Sequence, residues 1–180
     1  MAEQVTQAAP SSASPPPELV AFLSEPMNVS AEFVRGAVEH GLVRRLPDIQ
    51  PDGDDFVTGE FPIFFVRAVG RLLQLKFMPL PYFAEQCRPF VNGDPDLLAP
   101  AVRGRDLKKA VRDHQAWLAV SLMNSHEAED GYLYVGAMMS ALLVVAEPLA
   151  IVWPSENQIR LWDYEMLEAL DAGNPLRVFG

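Results

Sequence analysis

The chain has 180 residues, enough for one ordinary domain, and 49% of them are apolar against 21% charged, which excludes wholesale disorder. At this size one core buries roughly 70% of the surface an unfolded chain exposes, so no disulfide or structural metal is required. A net charge of −10 argues against general affinity for nucleic-acid backbone or anionic lipid, and a single cysteine, Cys87, excludes an internal disulfide and a cysteine-rich zinc site.

Residues 1–17 hold one charged side chain, Glu3, among Ala, Ser, Gln, Thr and prolines. This composition predicts a disordered tail ending in a short polyproline stretch, Pro15-Pro16-Pro17. No basic segment followed by an apolar run is present, so no signal peptide is expected and the default address is cytoplasmic. A single domain is expected over 18–180. Glu18–Ser24 reads as the first strand. Ser30 is placed to cap a helix over Ala31–His40, with Val29 stapling onto Val34 and Gly41 as a left-handed C′ residue.

Leu46–Asp55, with Pro47, Pro51, Gly53 and four aspartates, is a loop. The apolar runs Phe56–Val69 and Leu72–Phe83, joined at Gly70-Arg71, predict two antiparallel strands with Pro62 at an edge, a bulge or a break. A helix over 62–75 is the alternative, because Phe65, Val69, Leu72 and Leu73 also suit helical spacing. Cys87–Arg105 reads as loop with one helical turn at Pro95–Ala99. Asp106 then caps a helix that carries Leu107, Ala110, Val111 and His114 on one face. Gln115–Met123 is apolar on both faces, as a central strand must be.

The acidic loop Asn124–Gly131 leads into an apolar helix, Tyr132–Ala146. The stretch Tyr132–Trp153 is long enough to cross a bilayer, but Glu147-Pro148 stands inside it. A proline disfavours helix at the residue before it, and a carboxylate in mid-span costs a few kcal/mol. The reading adopted is therefore helix, break, and a hairpin of Leu149–Trp153 with Gln158–Trp162 across Pro154-Ser155-Glu156-Asn157. Asp163 caps a closing helix, with Leu167 and Leu170 inward and Gly173 at its end. Asn174–Gly180 finishes as a strand or extended tail. Strand-helix-strand-strand order recurs in two pseudo-repeats, 18–83 and 106–180. This predicts an α+β fold in which two β-α-β-β units form a mixed or antiparallel sheet with helices packed on it, ferredoxin-like in type.

Candidate chemistry is sparse. His126-Glu127-Ala128-Glu129-Asp130 approaches a zinc-protease spacing, but Asp130 stands where the second histidine belongs, and carboxylates before a helix suit its positive end. In Pro51-Asp52-Gly53-Asp54-Asp55, the twelfth position of a calcium loop counted from Asp52 is Ile63, so a solvated turn is expected. His114 is the histidine expected to be partly buried, and Cys87 reads as a structural thiol. Ser121 lies in no nucleophile elbow, and no phosphate loop or dinucleotide fingerprint is present. The aromatics Tyr132, Tyr134, Trp153, Trp162 and Tyr164 gather in the C-terminal third, as core or as a partner-binding rim.

His114-Gln115-Ala116-Trp117-Leu118-Ala119-Val120, with Tyr134-Val135-Gly136 and Leu149-Ala150-Ile151-Val152-Trp153-Pro154, resembles bacterial domains of unknown function with a duplicated ferredoxin-like architecture. The resemblance covers residues 106–179, implies that α+β fold, and brings no catalytic residues with it. The function expected is a non-catalytic protein–protein interaction or regulatory module. It would bind a protein partner or a second copy through Trp153, Trp162 and Tyr164, with no cofactor, metal, nucleic acid or membrane. The alternative is a small-ligand-binding or hydrolase-type enzyme using His114, His126, Glu127 and Asp130.

Overall fold

The computed structural model describes residues 15–42, 56–68, 70–82, 105–124 and 128–179. Their seven strands are β1 (Glu18–Leu23), β2 (Phe56–Glu60), β3 (Ile63–Ala68), β4 (Arg71–Met78), β5 (Ala116–Leu122), β6 (Pro148–Trp153) and β7 (Gln158–Leu161). They form one sheet in the order β2-β3-β4-β5-β1-β6-β7, antiparallel at every pairing. Four helices among the described residues complete a mixed α+β fold. They are α1 (Ala31–Gly36, continued by a π-helical turn over Ala37–Leu42), α2 (Arg105–Asp113), α3 (Ala128–Leu143) and α4 (Tyr164–Asp171).

The sheet is covered on both faces near its centre, which explains why β5 is apolar at every position except Ser121. Alternate residues of a strand point to opposite faces. Leu118 and Val120 of β5 join Leu19, Ala21 and Leu23 of β1 in the larger core, with side chains from α1, α3 and α4. Trp117 and Ala119 join Val20 and Phe22 in a smaller core under Leu107 and Ala110 of α2. All seven residues of β5 are buried. Complete burial of a Leu or Val side chain stabilises by about 1.5–3 kcal/mol, so these central strands anchor the fold.

Several expectations are corrected. The run Phe56–Val69 is not one strand: β2 and β3 form a hairpin around a cis Phe61-Pro62 bond, with Pro62 in the turn. The helix considered over 62–75 does not form. Phe64, Val66 and Ala68 are buried in alternation along β3, as are Leu73, Leu75 and Phe77 along β4, and that period fits a sheet. Gly41 is not a left-handed cap, because the helical path continues through it to Leu42. Asp106 lies inside the first turn of α2 rather than before it. Helix α3 starts at Ala128, which takes Asp130 out of the expected loop and into the first turn. Pro17 belongs to the folded body: it is buried, and its carbonyl accepts from Leu122 N–H at 2.9 Å. Its ring lies against Gly131, where a Cβ would come within 2.5 Å of it. The preceding residues, 1–14, and the loops expected over 46–55 and 87–104 lie outside the described residues.

The break at Glu147-Pro148 forms as expected. α3 ends at Leu143, a turn carries Val144–Ala146, and β6 begins at Pro148. No helix among the described residues is long and apolar enough to cross a membrane. Asp163 caps α4, accepting from Met166 N–H at 2.8 Å, and the buried face is Met166, Ala169 and Leu170, with Leu167 only half-buried. The chain then closes on a 3-10 turn, Pro175–Val178, instead of the expected strand or extended tail.

Gly173 makes that ending available. Its φ is +66°, its N–H donates to Leu170 C=O, and Asn174 N–H donates to Ala169 C=O, which together form a Schellman ending. An alanine there would hold a left-handed conformation at about 1–2 kcal/mol. Thermal melts of Gly173→Ala should show a loss of about 2–4 °C per kcal/mol. An unchanged Tm would contradict the left-handed geometry.

Candidate functional site

Two connections meet at one end of the sheet. β1 leaves the sheet at Leu23, and the backbone N–H of Ser24 donates to Glu147 C=O at 3.2 Å while its hydroxyl donates to the same oxygen at 3.3 Å. These bonds join the β1–α1 connection to the α3–β6 connection, although 123 positions separate the two residues. Ser30 turns the chain into α1 by accepting from Phe33 N–H at 3.1 Å, with its own backbone extended. Proline at 148 keeps Glu147 out of helical geometry on the other side.

Between them lies an open groove of about 660 Å³, within the size range of natural ligand pockets. Its apolar lining is Pro26, Met27, Val29, Phe33, Val145 and Ala146. Glu25 and Glu147 also line it, and no Lys or Arg does among the described residues. Val145 is 65% exposed and its neighbour Val144 is 73% exposed, a pair of aliphatic side chains left in water where α3 ends.

His114 lies elsewhere. It follows α2 and stacks on Phe22 with ring centroids 4.2 Å apart and planes 10° from parallel. Its Nε2 accepts from Tyr82 N–H at 2.8 Å, and its Nδ1 lies 2.5 Å from Val111 C=O. Those two partners together require the neutral Nδ1–H tautomer. Burial holds its pKa below the ordinary histidine value, partly offset by the bond to Val111. Both ring nitrogens are engaged, so the ring ties the segment that follows β4, at Tyr82, to the end of α2 and has no lone pair left for a substrate proton. Asp130 is exposed on α3, which packs on the opposite face of the sheet. His126 and Glu127, like Cys87 and Asp52–Asp55, lie outside the described residues. Among the described residues no three His, Cys, Asp or Glu side chains gather as a metal-binding group.

The aromatic residues divide. Trp153 donates through Nε1 to Tyr132 Oη at 2.6 Å, meets the Tyr132 ring edge-on, and packs against Phe179. Trp162 is half-buried against the larger core, and Tyr134 carries Arg71 over its ring at 5.3 Å. Tyr164, 73% exposed at the start of α4, is the member of Trp153, Trp162 and Tyr164 that stands in solvent. The sequence signal for the groove is an aliphatic pair, Val144-Val145, placed just before a helix-breaking Glu147-Pro148.

No family model matches the chain, and neither a curated protein nor a solved structure matches it.

Proposed function

We infer that the chain is a non-catalytic protein–protein interaction or regulatory module, acting in the cytoplasm, that seats a segment of a partner in the groove between the β1–α1 and α3–β6 connections. The observation that supports this most is that the exposed Val145 lines the same groove as Met27, Phe33 and Ala146. Apolar side chains grouped in a concavity with a polar rim have the anatomy of a binding site, whereas single exposed ones need no explanation. The full engagement of His114 favours this reading over a hydrolase built on that residue.

The duplicated ferredoxin-like architecture belongs to the same reading. β1 and β5, the first strands of the two units, pair at the centre of the sheet; β4 of the first unit lies beyond β5, and β6 of the second lies beyond β1. That order supports a reading in which each unit completes its sheet on the other's first strand. The first unit has one strand more than expected, because its apolar run divides into β2 and β3.

A photo-crosslinking amino acid placed at Val145, and separately at Tyr164, tests the docking site in cells of the source organism. A discrete crosslinked species from position 145 and none from 164 is expected. Crosslinking at 164 alone would move the surface to the aromatic face, and none at either would overturn the reading.

A further inference from the structure

We propose that the occupant of the groove is a segment of another protein that presents an aliphatic or aromatic side chain beside a lysine or arginine; this rests on the docking reading above. The apolar half of that chemistry follows from Met27, Val29, Phe33 and Ala146, which offer dispersion contacts and no charge. The cationic half follows from Glu25 and Glu147, carried one on each of the two connections that wall the groove. Across an interface, complementary charge sets which partner is accepted and how fast it arrives. The whole chain adds to this: 24 acidic against 14 basic side chains steer cations toward it and repel anions.

Other occupants fit less well. A second copy of the chain would bring the same acidic excess to an acidic rim. The residues before Pro15 carry Glu3 as their one charged side chain, so that segment offers no lysine or arginine for the two glutamates. A small apolar ligand would leave both carboxylates unanswered.

The test uses the full chain and short fluorescein-labelled peptides that share one Leu-containing core, flanked by lysines, by glutamates or by serines, with a lysine-only peptide lacking the leucine. Fluorescence polarisation measures affinity, and methyl NMR signals of Met27 and Val145 locate it. The lysine-flanked leucine peptide should bind most tightly, move those methyl signals, and weaken as ionic strength rises from about 0.05 M to about 0.5 M. The double substitution Glu25→Gln/Glu147→Gln should weaken that peptide by about three- to tenfold and leave the serine-flanked one unchanged. Val145→Ser should weaken both. Equal binding of the lysine-, serine- and glutamate-flanked peptides would overturn the cation requirement and leave the docking groove standing. No binding by any peptide, with unmoved Met27 and Val145 signals, would overturn both.

Discussion

Replacing Phe22 with alanine should lower the folding free energy by about 3–5 kcal/mol, the cost of emptying a fully packed aromatic site. Phe22 is 1% exposed and stands on β1, the strand that joins the two halves of the sheet. Its backbone pairs with Trp117 on one side and Ala150 on the other. Its ring supports His114 at 4.2 Å and Tyr82 at 5.6 Å, so truncation also removes the shelf on which the His114 bonds are aligned. Neighbouring strands hold the backbone in place, and little collapse can fill the space. Urea titration should therefore show a lower midpoint with the slope preserved. Tyr164→Ala is the contrast: that side chain is 73% exposed, and the change should stay within about 0.5 kcal/mol. A loss below about 1 kcal/mol for Phe22→Ala would contradict the packing described on the α2 face.

The parts of this fold legible in the sequence are those fixed by local chemistry. Gln115–Met123 reads as a central strand because nothing polar interrupts it except Ser121, whose hydroxyl donates to Glu18 across the β1–β5 pair. Glu147-Pro148 reads as a break because proline's constraint acts on its immediate neighbour. Where two periods fit the same residues the sequence is silent. Phe65 and Leu72 suit a helix as well as a strand, and the pairing of Ile63 with Lys76 and of Phe64 with Leu75 decides for the sheet. The acidic stretch before Tyr132 suits a loop and a first helical turn equally, and α3 takes part of it. The groove was hidden for a different reason. Its walls come from Ser24–Phe33 and Val145–Glu147, and they meet through the Ser24–Glu147 bonds, which no local pattern announces. His114 shows the same limit, since its decisive partner, Tyr82, lies 32 positions away.

That pairing makes the protein's stability depend on pH in a defined direction. The ring accepts from Tyr82 through Nε2, and a proton there would set two donors against each other. Burial adds to the effect by disfavouring the charged ring, so the folded-state pKa lies below the ordinary value of 6.5. Between the folded-state value and 6.5 the unfolded chain binds the proton and the native chain does not. Stability therefore rises with pH through that window, and is lost as pH falls below 6.5. His114→Phe should remove this contribution while keeping a ring on Phe22. It removes the Nε2 to which Tyr82 N–H donates, at about 0.5–1.5 kcal/mol near neutral pH. His114→Gln can restore an acceptor through Oε1, so its stability at neutral pH should exceed that of His114→Phe, and its profile through the window should also be flatter than that of the wild type. Urea midpoints measured from pH 7.5 to about pH 5, above the range where carboxylates take up protons, separate these cases. The chain's two other histidines, His40 and His126, are present in all three proteins and cancel in the comparison. Parallel profiles for the wild type and both variants would mean that His114 takes its proton equally well in the folded and unfolded chain, and the stacked ring with its two hydrogen bonds would no longer account for how the segment after β4 is held to α2.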